Sequence, residues 1–308
     1  MAVLGAGGIG GYFGACLARA GNEVRLLARG AHLEAIRSRG LEVRDPGESW
    51  KAPVGATDDV GELLPAELAI VAVKSYSLDA IAPAARRLAE SGAVVLPLLN
   101  GVEVFESLSD KGVPRASLIA GLAAISAEKT APGVITRKTE FRIVAVGERD
   151  GGASPRAERI ASAFRDGGVD ARVSENIELD LWRKFLFIAS MAAACGLARA
   201  PLGAVRQAPL GDRLLERAVR EIGAVARARG VPLASDEEDR VLERMAAMPP
   251  EMKPSFLLDL ERGGETELDV LSGAVARYGA ASGIPTPVHD TAVAALSAAP
   301  RPPASETV

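Results

Sequence analysis

In the first half of the chain, short apolar runs alternate with stretches in which apolar residues recur every three to four positions. The runs at residues 2–4, 23–28, 68–73, 93–99 and 117–120 predict strands, and the stretches at 11–20, 32–39 and 78–90 predict helices. Several of the runs are apolar at successive positions, as a parallel sheet requires when helices cover both of its faces. Strand-helix alternation of this kind predicts right-handed βαβ crossovers and a doubly wound α/β sheet. Residues 141–147 and 169–173 predict two further strands that complete the sheet after a hairpin-like excursion around Ala131-Pro132-Gly133.

From residue 177 onward the period changes to that of helices. Helices are predicted at 177–199, 211–229, 236–247, 255–261 and 267–282. The breaks between them fall at Ala200-Pro201, Pro249-Pro250, Gly263-Gly264 and Gly283-Ile284-Pro285, all helix terminators. The expected organisation is an α/β domain over 1–174 and an all-α domain over 175–308, with about 300–308 a disordered tail. The longest apolar stretch, 185–198, is expected to be too short to span a bilayer.

Composition mainly excludes. The 308 residues are 48% hydrophobic and 25% charged, which fits a folded chain of about two domains. A net charge of −4 and an aromatic content of 4% leave no basic footprint for nucleic acid or an anionic membrane and no base-stacking surface. Two distant cysteines, Cys16 and Cys195, and two histidines exclude a disulfide framework and argue against a metal site. No signal peptide is expected ahead of the first apolar run, so the chain reads as soluble and cytoplasmic. The Ala- and Leu-rich faces of the helical half leave room for a homodimer.

The opening carries the first chemical signal. Gly5-Ala6-Gly7-Gly8-Ile9-Gly10 is a GxGxxG motif that follows one predicted strand, opens a helix and leads to a second strand, the context of a Rossmann-type dinucleotide site. Gly5 permits the tight turn, Gly7 lets the backbone approach a pyrophosphate, and Gly10 allows close helix-strand packing, with the helix N-terminus attracting the anion. At the end of the second strand, where an NAD site usually carries an acid, stands Arg29. A guanidinium there favours a 2′-phosphate and hence NADP(H), the alternative being a solvated surface arginine.

Hydride transfer in a cleft between two such domains requires a proton donor for the developing alkoxide. His32 and His289 are read as surface residues. Lysines are scarce, seven of the 36 basic residues, and two stand at informative places. Lys74 follows a strand at the ligand-binding edge of the sheet. Lys184, in Leu181-Trp182-Arg183-Lys184-Phe185-Leu186, has apolar neighbours that could lower its pKa, though a solvated helix-face lysine fits as well. Asn100-Gly101 is either a ligand contact or a turn, and Glu267 either a site residue or a solvated carboxylate at a helix start.

Gly5–Gly10, Val73-Lys74-Ser75, Leu99-Asn100-Gly101, Leu181-Trp182-Arg183-Lys184 and Thr266-Glu267-Leu268-Asp269, in this order, resemble the ketopantoate reductase (2-dehydropantoate 2-reductase) family over roughly residues 1–295. The resemblance implies NADPH-dependent reduction of a 2-oxo acid, ketopantoate, to pantoate in pantothenate biosynthesis. It implies Lys184 as general acid, Glu267 as the group organising the substrate, and Ser255 near the substrate carboxylate. Gly5, Gly7, Gly8, Ile9, Gly10, Arg29, Lys74 and Asn100 would bind the cofactor, Asn100 also facing the substrate. The family usually carries asparagine four and eight residues after the lysine, where this chain has Ile188 and Ala192. Arg199 is a candidate compensating carboxylate contact or a helix C-terminal cation. The departure keeps open a paralogous reductase of another branched 2-oxo acid, or a non-catalytic NADP(H) sensor.

Overall fold

A computed structural model describes residues 1–299, so the expected tail at 300–308 lies outside the described residues. The chain divides into two compact units. The first comprises residues 1–99 and 104–177. The second comprises residues 100–103 together with everything after 177.

In the first unit β1 (Ala2–Leu4), α1 (Gly8–Arg19), β2 (Arg25–Leu27) and α2 (Gly30–Arg39) lead into a hairpin, β3 (Leu41–Asp45) and β4 (Glu48–Ala52). There follow β5 (Gly55–Thr57), β6 (Leu68–Val71), α3 (Leu78–Glu90), β7 (Val94–Pro97) and α4 (Val104–Asp110). The remainder is β8 (Ala120–Ala124), β9 (Ala127–Ala131), β10 (Val134–Arg137), β11 (Ile143–Gly147), α5 (Pro155–Asp166) and β12 (Asp170–Val173). Strands β5-β2-β1-β6-β7 form an all-parallel sheet in that order, with Val3 opposite Leu26 on one side and Ile70 on the other. Every residue of β1 and β6 is buried, which is why both read as unbroken apolar runs. Helix α1 packs through Phe13 edge-on against Phe164 of α5, at 5.6 Å between ring centroids.

The remaining strands correct the expectation of one sheet. They form two further sheets, β4-β3-β10-β9 and β12-β11-β8, because antiparallel hairpins interrupt the βαβ series. The hairpin β3–β4, which the sequence reading missed, turns at Pro46-Gly47, where Pro sets one turn position and Gly47 takes φ +87° at the next. Of residues 117–120, expected as a strand, Ser117 ends a short helical turn, Arg115–Ser117, Leu118 bridges Val95 in parallel, and Ala120 begins β8.

The second unit contains α6 (Ile177–Ala198), α7 (Leu202–Gln207), α8 (Gly211–Ala228), α9 (Glu237–Ala246), α10 (Ser255–Glu261), α11 (Ala274–Ser282) and α12 (Pro287–Ala298). One π-helical turn, Asp269–Gly273, runs directly into α11. At 22 residues α6 is long and apolar enough to cross a membrane by length and composition alone, although the 185–198 run within it is shorter than a span. It does something else: Trp182, Phe185, Leu186, Ala189 and Ala193 are at most 2% exposed, and α6 is the central helix of this unit's core.

One buried charge ties the hairpins of the first unit together. Asp45 accepts hydrogen bonds from Tyr12 Oη (3.1 Å), Trp50 Nε1 (3.1 Å) and the Arg137 guanidinium, and the Asp45 and Arg137 side chains are only 7% and 5% exposed. Burial alone would raise the Asp45 pKa, but the bonds from Trp50 and Arg137 outweigh it and hold the carboxyl below its ordinary value. Asp45→Asn, which strands a buried guanidinium, should cost about 3–5 kcal/mol in urea unfolding at neutral pH. Because the folded pKa is the lower one, this stabilisation exists above about pH 4 and fades below it, so the gap between wild type and variant should shrink in acid.

Candidate active site

Each unit contributes one candidate site. In the first, a cavity of about 480 Å³ opens at the carboxyl ends of β1, β2 and β6, within the roughly 300–1,000 Å³ range of ligand sites. Its floor is Gly5, Ala6 and Gly7. Gly5 has φ +107°, and a Cβ there would lie 2.7 Å from Val73 Cγ1. Gly7 precedes α1, and a Cβ on it would meet nothing within 4 Å, so its bare backbone faces open space. The first turn of α1 carries no acidic side chain. An open glycine below the free amides of a helix N-terminus fits a pyrophosphate.

Gly8 and Gly10 do different work. A Cβ on Gly10 would come within 2.0 Å of Gly5 O, and one on Gly8 within 2.0 Å of Ala127 O. Gly10 seats α1 on its own loop, whereas Gly8 and the partly buried Ile9 seat the loop in the unit's packing, Gly8 against β9. Arg29, exposed at the end of β2, lines the cavity, as do Val73 and Ser77 on either side of Lys74. Lys129, exposed on β9, supplies a second cation.

Neither histidine is on the surface, which corrects that expectation. His32 is 7% exposed: its Nδ1 accepts from Gly133 N (2.9 Å), so Nε2 carries the proton and donates to Ala6 O (2.8 Å). It thereby fixes the glycine-rich loop to the β9–β10 turn. Burial, and then the nearby Lys129 ammonium, push its pKa down and keep it neutral. His289 is fully buried between Ser272 Oγ (3.2 Å) and Ala218 O (3.1 Å), and burial pushes it down to about 4.

The second site is a linear hydrogen-bonded chain in the helical unit. Lys184 Nζ donates to Asn100 Oδ1 (2.9 Å), and Asn100 Nδ2 donates to Glu267 Oε2 (3.1 Å). The amide orientation is forced, because an ammonium can only donate and a carboxylate can only accept. Lys184 is held by the packing of its neighbours: Trp182 meets Phe185 edge-on at 5.6 Å and Tyr278 of α11 at 6.0 Å. Glu267 is 4% exposed. Burial lowers the Lys184 pKa to about 8 while the Glu267 carboxylate opposes the shift. An ammonium in that range is charged at neutral pH and gives up its proton readily, as a general acid must.

Three residues separated by 167 positions are thus brought together. Ser255 and Arg199 are not in this hydrogen-bonded chain. Ser255 stands exposed at the start of α10, whose Phe256 packs where a Cβ on Gly196 would sit, 2.7 Å away. Arg199 is exposed just past the end of α6 with φ +47°. It follows Lys184 by fifteen residues in the chain. Lys129 escaped the sequence reading and His32 was misplaced by it, because only the return of the β9–β10 hairpin onto the glycine loop gives them a place.

Residues 1–151 match the family model described as "Ketopantoate reductase PanE/ApbA", and residues 176–299 match its C-terminal counterpart. A 2-dehydropantoate 2-reductase from Halobacterium salinarum is 33% identical over 294 residues, covering 94% of this chain and 95% of the relative. The crystal structure of 2-dehydropantoate 2-reductase from Geobacter metallireducens superposes with a TM-score of 0.88 at 28% identity, covering 96% of this chain and 99% of that one. A D-mandelate dehydrogenase solved with NADH gives a TM-score of 0.83 at 25% identity, covering 96% and 97%.

The glycines offer a test that separates binding from packing. Gly7→Ala should leave the melting temperature unchanged but weaken NADPH binding about tenfold or more in a fluorescence titration. Gly10→Ala should lower the melting temperature, since the added methyl has no space, by the roughly 1–3 kcal/mol of an overpacked core.

Proposed function

Because this chain belongs to the ketopantoate reductase family of oxidoreductases, we propose that it reduces ketopantoate to pantoate with NADPH. The observation that carries this reading is the Lys184–Asn100–Glu267 chain, which holds a proton donor of lowered pKa against a buried carboxylate. NADPH, when bound, supplies the hydride to C2 of the 2-oxo acid. Lys184 donates a hydrogen bond to the C2 oxygen and stabilises its growing negative charge. As the carbonyl π pair becomes the alkoxide lone pair, the Nζ proton passes to it, giving the 2-hydroxy acid, and solvent reprotonates the lysine. Asn100 orients the ammonium, and Glu267 keeps it charged despite its burial. Ser255, exposed at the N-terminus of α10, is assigned to the substrate carboxylate on the family resemblance.

The cofactor assignment rests on the first unit. Gly5, Gly7 and the α1 N-terminus would hold the pyrophosphate, and Arg29 at the cavity wall would pair with the 2′-phosphate. Lys74, between the cavity-lining Val73 and Ser77, belongs to the same cofactor edge. On this reading the protein is a cytoplasmic enzyme of pantothenate biosynthesis.

One observation favours a second substrate. One and two helical turns beyond Lys184, α6 carries Ile188 and Ala192 where the family usually has asparagine, so neither position offers a hydrogen-bond partner for a substrate hydroxyl. A branched 2-oxo acid without that hydroxyl would suit this face.

Three measurements test these readings. Lys184→Ala should reduce kcat about a hundredfold or more while NADPH binding is retained, and the wild-type rate should fall as pH rises through about 8, where Lys184 loses its proton. Arg29→Ala should lower kcat/KM for NADPH about tenfold or more and leave NADH unaffected. Comparing ketopantoate with trimethylpyruvate, which lacks only the hydroxyl, decides the substrate: a higher kcat/KM for trimethylpyruvate would replace the first assignment with the second.

A further inference from the structure

Asn100 belongs to a four-residue excursion, 100–103, by which the chain joins the second unit before returning to the first at Val104. A segment this short has few means of holding a fixed orientation. Val102 is buried in the helical core, at 5% exposure, and Gly101 turns the backbone with φ +106°. The bonds of Asn100 to Lys184 and Glu267 lie at one end of the segment, about which the Glu103 end could pivot.

A second attachment removes the pivot. Arg277, on α11, places Nη2 2.6 Å from Glu103 Oε2 and Nη1 2.6 Å from Asp269 Oδ1, with Nη2 also 3.1 Å from Asp269 O. Glu103 is three residues after Asn100, and Asp269 is two residues after Glu267. The same two segments are therefore joined twice, once by the site's own amide-carboxylate bond and once by a guanidinium fork. Asp269 opens the π-helical turn, which closes through Gly273 N to Leu268 O at 3.0 Å. A Cβ on Gly273 would sit 3.1 Å from Asp269 Oδ1 and 3.2 Å from Arg277 Nη1, so the glycine leaves the ion pair room. Such turns interrupt helices chiefly where side chains must be aimed.

We propose that Arg277 is a positioning residue for the reaction: by bridging Glu103 and Asp269 it sets the Asn100–Glu267 geometry and, through it, the placement of the Lys184 proton. This rests on the reading of Lys184 as proton donor. Arg277 is 47% exposed on its side chain and Asp269 81%, so an ion pair there adds little to overall stability, and its value lies in geometry. The charge acting on Lys184 is that of Glu267, which supports the protonated form. Loosening the Asn100–Glu267 link weakens that support and moves the lysine's titration to lower pH.

The test compares Glu103→Gln, Arg277→Met, Arg277→Lys and the Glu103→Gln/Arg277→Met double variant with wild type and Lys184→Ala. It reads kcat across pH, NADPH binding and melting temperature. Glu103→Gln and Arg277→Met should each lower kcat about tenfold, by misplacing the site without removing it. Each should shift the alkaline limb of the rate profile to lower pH and leave NADPH binding and melting unchanged. The double variant should be no worse than Arg277→Met, because both break one link. Arg277→Lys should recover part of the rate. If Arg277→Met fails to fold, Glu103→Gln and Arg277→Lys carry the same comparison. Wild-type kcat and pH limb in Glu103→Gln, or multiplicative losses in the double variant, overturn the proposal while an inactive Lys184→Ala leaves the proton-donor reading intact. A fully active Lys184→Ala removes that reading and this inference with it.

Discussion

The helical unit is organised around one demand: an ammonium must stay charged where most of its water has been replaced by protein. Burial alone favours the neutral amine at Lys184. Glu267 supplies the compensating charge, but it is itself buried and could not be left without a hydrogen bond. Asn100 answers both needs, because its amide presents an acceptor to the ammonium and a donor to the carboxylate. Much else follows from this. Helix α6 is long because it both carries Lys184 and fills the core that desolvates it, and residues 100–103 are given over to the helical unit because the amide is needed there.

The first unit solves a complementary problem, exposing backbone donors for an anion while keeping the loop that bears them rigid. Side chains are withheld at the glycines for two separate reasons. Gly7 faces open space, whereas Gly8 and Gly10 face backbone carbonyls at distances no Cβ tolerates. Rigidity comes from His32, neutral and bonded at both ring nitrogens, which joins the loop to a hairpin more than a hundred residues later in the chain. The cavity walls then carry two cations, Arg29 and Lys129, in reach of whatever anion the loop holds.

Much of this was legible in the residues. The parallel strands are buried on both faces and announce themselves as unbroken apolar runs, and α3 and α10 begin and end where their punctuation places them. Glycine spacing after a strand gave the loop, and the scarcity of lysine drew attention to Lys184. The hairpins that build two extra sheets were less legible, since their strands are short and half exposed, and the turn at Asp45-Pro46-Gly47 was missed. The two histidines were misjudged because a polar residue's burial depends on partners far along the chain: Gly133 for one, Ala218 and Ser272 for the other.

By itself, the sequence determined the alternation that makes a parallel sheet, the switch to helical period near residue 177, the glycine loop and a short set of candidate residues for acid chemistry. These are local properties, fixed by side-chain shape, backbone freedom and period. Which of those residues meet was decided only by the tertiary structure. Asn100 could be a turn and Glu267 a solvated carboxylate until folding set them 3.1 Å apart beside Lys184. The shifted pKa of Lys184 arises from burial and from a carboxylate 83 positions away, and neither is a property of the residues on either side of it.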